Sequence, residues 1–175
     1  MNKHQKSPPT RAKSRTSSPV DALALLRADH KTVADLFAEF EKRKARLDVA
    51  KKRELAGRIC GGLTVHATIE EEIFYPAVRE HCPDAGDLLD EADVEHGSLK
   101  ELISHIESGA GDDGHFEAQV KVLGEYVKHH VREEQNELFP LVRASDLDLR
   151  AVGLELANRK AELESASPPK RKSKA

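Results

Sequence analysis

The sequence predicts an all-α protein: an up-down-up-down four-helix bundle with a short additional C-terminal helix and disordered termini. Three observations point there. Aromatic residues make up only 4% of the 175 residues and Trp is absent. No stretch alternates β-branched and polar residues as a half-buried strand would. The apolar content, mostly Leu, Ala, Val and Ile, instead recurs at intervals of three and four, and turn-forming residues cut the chain into long segments. One domain is the default at this length.

The first helix starts at Pro19 or Asp21 and carries Leu26, Val33, Phe37 and Phe40 on one face to about residue 46. The second runs from about Asp48 to His81, where Cys82-Pro83 stops it. The third covers roughly Asp84 to Ser108 and ends in GAGDDG at 109–114. The fourth spans about His115 to Ala144. A shorter pattern of Leu147, Val152, Leu156 and Leu163 predicts a fifth helix, packed outside the bundle or frayed. Helices of about 25 to 30 residues with short connections run antiparallel to their neighbours and close into a bundle. The domain is expected over residues 20–164.

Residues 1–19 and 165–175 are rich in Ser, Pro and basic side chains and offer nothing to bury, which predicts disordered basic tails. They hold nine Lys and Arg and no acid, which leaves 19 basic and 31 acidic residues between them. The folded part is therefore acidic. Such tails can meet nucleic acid or an acidic partner electrostatically, although short ones are more often solvated and KRK is a weak signal. No apolar run reaches about 18 residues and no signal-peptide core follows the N-terminal charges. Cys60 and Cys82 are too few for a disulfide framework and match no zinc spacing. The expectation is a cytoplasmic protein with no membrane partner.

Within this pattern lies a repeat. VHATIEEEIFYPAV (65–78) lies over HHVREEQNELFPLV (129–142), pairing His66 with His130, Glu70 with Glu134 and Pro76 with Pro140. RADHKTVADLF (27–37) lies over DVEHGSLKELI (93–103), pairing His30 with His96. The separation from the single histidine to the His-Glu pair is 36 residues in the first half and 34 in the second. All six polar residues sit where the period calls for an apolar one: His30 between Leu26 and Val33, His66 and Glu70 between Leu63 and Ile73, His96 between Ala92 and Leu99, and His130 and Glu134 between Val127 and Leu138, with Leu141 beyond. They point into the bundle.

Six buried ionisable groups without partners would consume much of a domain's stability. Two di- or trivalent cations resolve this, because neutral imidazoles donate nitrogen lone pairs and two glutamates can each span both ions. Mixed nitrogen and oxygen ligation without sulfur suits iron or manganese and tolerates zinc. The candidate ligands are His30, His66, Glu70, His96, His130 and Glu134. His129 with Glu133 is the rival register, but it leaves the apolar stripe and breaks the repeat. Glu71 and Glu72 read as solvating residues, with Glu71 a candidate outer partner of a ligand. Pro76 and Pro140 read as kinking residues that aim the glutamates. His4, His81, His105 and His115 read as surface residues, and Tyr75 and Tyr126 as packing residues.

On His30, the HATIE of His66 and Glu70, His96, and the HVREE of His130 and Glu134, each pair followed by its proline, the sequence resembles the hemerythrin-like, HHE cation-binding family over about residues 20–144. The resemblance implies a four-helix bundle holding two iron ions, with manganese or zinc as substitutes, bridged by oxo or hydroxo and two carboxylates. It implies binding or sensing of dioxygen, nitric oxide or iron, or the handling of peroxide and other reactive oxygen species. Oxygen-carrying relatives place a second histidine one turn before the helix-three ligand, where this chain has Ala92; that departure favours a sensing or redox role over oxygen carriage. The alternatives are a di-iron enzyme that decomposes peroxide or acts as an oxidase, and a zinc-stapled or metal-free interaction bundle.

Overall fold

A computed structural model describes residues 21–108 and 114–166. The helices are α1 (Ala22–Arg43), α2 (Val49–Ile69), α3 (Tyr75–His81), α4 (Gly86–Glu107), α5 (Phe116–Glu133), α6 (Phe139–Ala144) and α7 (Leu149–Ala166). A π-helical turn, Glu70–Phe74, joins α2 to α3, and a second, Glu134–Leu138, joins α5 to α6. The four members of the bundle are thus α1, α2–α3, α4 and α5–α6, and among the described residues there is no strand.

Aspartates set the helix starts. Asp21 accepts from the Leu23 and Ala24 amides at 2.9 and 3.3 Å, Asp48 from the Lys51 amide at 2.8 Å, and Asp148 from the Arg150 and Ala151 amides at 3.0 Å. Each satisfies donors that the first turn cannot pair internally, worth about 1 kcal/mol. α4 begins at Gly86, two residues later than the sequence suggested, because Pro83–Ala85 forms a 3₁₀ turn first.

The π turns are the main departure from the expected periodicity. Pro76 and Pro140 lack an amide hydrogen, and their rings crowd the carbonyl four residues back. The chain absorbs this by widening one turn, so that the Tyr75 amide donates to the Glu70 carbonyl and the Phe139 amide to the Glu134 carbonyl, five residues back. The stripe slips by one position. Phe74, Tyr75, Phe139 and Val142 become buried, while Ile73 and Leu141, expected inside, are half-buried.

The core is two apolar clusters. One contains Leu26, Ile69, Phe74, Leu89, Leu138 and Phe139; the other contains Val33, Ile59, Leu63, Leu99, Leu123 and Val127. Between them in every bundle helix falls the polar layer of His30, His66, Glu70, His96, His130 and Glu134, all buried.

α7, the additional C-terminal helix, has 18 residues and packs on the outside of the bundle against α1, α2 and the first π turn. Leu156 is fully buried, Arg159 donates to both oxygens of Glu72 at 2.7 and 3.1 Å, and Lys160 donates to Asp29. It continues through Ala166, two residues past the expected limit of 164. The remainder of the two basic tails, and 109–113 of the expected GAGDDG turn, lie outside the described residues. No described helix is long and apolar enough to cross a membrane.

Candidate metal centre

Four Nε2 atoms converge in the polar layer. His30 and His66 bring theirs to 3.0 Å of each other, His96 and His130 to 3.2 Å. Glu70 lies between the pairs, with Oε1 3.2 Å from His66 Nε2 and Oε2 3.6 Å from His96 Nε2. Glu134 Oε2 lies 3.1 Å from His30 Nε2 and 3.7 Å from His130 Nε2. Two groups of donor atoms result: His30, His66, Glu70 and Glu134, each within 4.8 Å of the others, and likewise Glu70, His96 and His130. The structure thus brings together all six residues singled out from the sequence. It buries His130 and leaves His129 exposed.

Three of the four outward nitrogens have hydrogen-bond partners of their own. His96 Nδ1 meets Glu71 Oε1 at 2.8 Å, His130 Nδ1 meets Glu95 Oε2 at 2.7 Å, and Gln135 Nε2 donates to His30 Nδ1 at 2.9 Å. His66 Nδ1 faces Asp29 Oδ2 at 3.8 Å. At His96 and His130 these carboxylates hold the proton on Nδ1 and turn the Nε2 lone pair inward, the tautomer that a cation requires. Glu71 is itself held by Lys100 at 2.5 Å.

Electrostatics leaves a gap that protein atoms do not fill. Both oxygens of Glu70, Glu134 Oε2, His66 Nδ1 and Asp29 Oδ2 are buried without a hydrogen-bond partner. Burial, reinforced by Glu134, pushes the Glu70 carboxyl well above the usual range, so it resists ionising beside its neighbour. Burial also opposes charge on Glu134, but His30, His130 and His66 outweigh it and hold that carboxyl at about 2. Burial drives His66 down to about 4 and lowers His96. At His130 burial works the same way, and Glu95 overcomes it and raises the imidazole. Imidazoles held neutral at His66 and His96, beside a Glu70 carboxyl that resists ionising next to Glu134, fit cations as the missing partner: two positive ions would let both glutamates be charged together and would use the orphaned oxygens.

Tyr75 also belongs to this layer, where the sequence suggested only packing. Its hydroxyl donates to Glu134 Oε1 at 3.1 Å and sits 3.4 Å from His96 Nε2. Burial and the nearby Glu70 and Glu134 carboxyls raise it well above an ordinary phenol, so it stays a donor. Tyr126, by contrast, is 50% exposed. Beside the four imidazoles lies a small cavity of about 40 Å³ with apolar walls from Val33, Leu63, Leu99, Ile103 and Val127. Thr64 and Lys100 also line it, and both continue into an open outer groove. A third acid–histidine group, Glu95, His129 and Glu133, is partly exposed.

Comparison with known proteins places this geometry. The family model described as the hemerythrin HHE cation binding domain matches residues 21–142. The chain belongs to that family. A crystal structure of a hemerythrin HHE cation binding domain-containing protein from Mycobacterium kansasii, an Rv2633c homologue, superposes with a TM-score of 0.69. It covers 83% of this chain and 88% of its own at 21% identity, a likeness of fold. A DNA nickase from Nostoc sp. is 34% identical over 119 residues, which make up 68% of this chain and 32% of the nickase. The chain thus spans about a third of that relative's length. Buried His and Glu groups able to hold metal ions are what this HHE domain presents.

Proposed function

We propose that this HHE domain is a non-haem di-iron protein that binds or senses a small neutral ligand, dioxygen or nitric oxide. The observation that carries the reading is the layer of four inward Nε2 atoms and two carboxylates with orphaned oxygens, placed directly against an apolar cavity. His30, His66, His96 and His130 would donate Nε2, and Glu70 and Glu134 would add carboxylate oxygens, Glu70 spanning both positions. Iron, when bound, supplies the redox-active centre and the open coordination position. Val33, Leu63, Leu99, Ile103 and Val127 exclude water and favour a ligand that needs no hydrogen bonds.

The DNA nickase relative does not extend the proposal to DNA cleavage. The match covers 32% of that protein, and the chain between the basic tails has an excess of acids that repels a phosphate backbone. Nucleic-acid contact, if made, would fall to the basic stretches at 1–19 and 165–175.

Metal analysis of freshly purified protein, with absorption spectra under nitrogen and then under air, nitric oxide or peroxide, tests the reading. Two irons per chain and a spectrum altered by dioxygen or nitric oxide support it. A spectrum that cycles while peroxide is consumed favours the peroxide-decomposing enzyme. Zinc alone, or no metal under any loading condition, overturns it in favour of a structural bundle.

A further inference from the structure

The ligand helices repeat at an offset of 64 residues, which pairs His66 with His130, Glu70 with Glu134 and Pro76 with Pro140. The same offset pairs Tyr75 with Phe139, and there the two halves part. Phe139 lies parallel to the His30 ring, with centroids 6.0 Å apart and planes at 10°, and has no hydroxyl. Tyr75 donates its hydroxyl to Glu134 Oε1 at 3.1 Å.

The two carboxylates are consequently used differently. Glu70 divides its oxygens between the halves, Oε1 toward His66 and Oε2 toward His96, and neither has a hydrogen-bond partner. Glu134 has only Oε2 free to face imidazoles, nearer His30 at 3.1 Å than His130 at 3.7 Å, because Tyr75 occupies Oε1. Four donors gather around the His30–His66 position and three around the His96–His130 position.

Resting on the dinuclear reading above, we propose that Tyr75 makes the two cation positions inequivalent. By holding Glu134 Oε1 it assigns that carboxylate to the His30–His66 position and leaves the other short of one oxygen. The first cation then binds tightly with two carboxylates, and the second binds more weakly with Glu70 alone. Removing the phenol oxygen releases Glu134 Oε1 toward the poorer position. A residue that merely packed would shift both steps together or neither.

The test is stepwise loading of the chelator-stripped full-length chain with Co²⁺ under nitrogen, followed by d–d absorption and calorimetry. The wild type is expected to take two cobalts in two separated steps. Tyr75→Phe should leave the first step in place and strengthen the second about tenfold or more, the scale on which outer partners move metal affinity. Circular dichroism checks that the variant is folded. Glu134→Gln supplies an independent arm: it should weaken the first step well beyond the second. An unchanged separation in Tyr75→Phe, an equal loss of both steps in either variant, or two unseparated steps in the wild type overturns the assignment. Uptake of fewer than two cobalts by the wild type would instead remove the dinuclear reading itself.

Discussion

Replacing Glu70 by Met should move the metal-free and metal-loaded proteins in opposite directions. Glu70 is fully buried, and neither carboxyl oxygen has a hydrogen-bond partner. An unsatisfied buried polar group costs about 1–3 kcal/mol, and an apolar side chain of similar length removes that cost without opening a cavity. Glu70→Met should therefore stabilise the metal-free protein by about 2 kcal/mol, raising Tm by roughly 4–8 °C in a chain of this size. The wild type, supplied with Fe²⁺ or Mn²⁺ at about a hundred times Kd, gains about 2.7 kcal/mol, a gain the variant should lack. Differential scanning calorimetry on chelator-treated samples, before and after anaerobic metal addition, gives both numbers. The reasoning fails if metal-free Glu70→Met melts below the wild type, or if metal stabilises both equally.

Three other outcomes follow from the structure. The His66 imidazole is held by burial at about 4, below its ordinary 6.5, so its stabilising share is full above pH 6.5 and lost as pH falls toward 4. That gap corresponds to about 3 kcal/mol, and urea melts of metal-free protein at intervals across this window should show the loss. Leu156→Ala empties a fully buried site under α7 and should cost about 2–5 kcal/mol, read by denaturant unfolding. Burial lifts the Cys60 thiol to about 12, so a thiol reagent should modify it only after denaturant is added.

The inner ring was legible in the sequence because a polar residue on an apolar stripe is conspicuous, and the duplication repeated the signal. His30, Glu70, His96 and the others needed only the helical period. The outer partners left no such mark. Asp29, Glu95 and Gln135 sit one residue from His30, His96 and Glu134, on faces where charged and amide side chains are ordinary. Only the crossing of helices shows that Asp29 serves His66, Glu95 serves His130 and Gln135 serves His30. Tyr75 was hidden by a different cause. The proline after it signals a disturbed turn, but not that the disturbance is a π turn that carries position 75 onto the ligand face. α7 read weakly because its buried residues are few, and its polar anchors, Arg159 on Glu72 and Lys160 on Asp29, are invisible without the fold.

These hidden features share a logic. The two hairpins agree wherever a residue faces the centre and differ in what stands behind it. Glu71, a carboxylate, backs His96, whereas Gln135, a neutral amide, stands behind His30; Tyr75 reaches Glu134, whereas Phe139 stacks on His30. Inner-ring identity follows from the shared need to neutralise buried carboxylates, since losing any member leaves another charge uncompensated. The outer positions are free of that constraint, because changing one alters the basicity or reach of a ligand without orphaning a charge. Divergence between the halves is therefore tolerated there, and there it can distinguish one cation position from the other. α7 adds to this on one side only, placing Lys160 behind Asp29 and His66, with no corresponding helix behind Glu95 and His130 among the described residues.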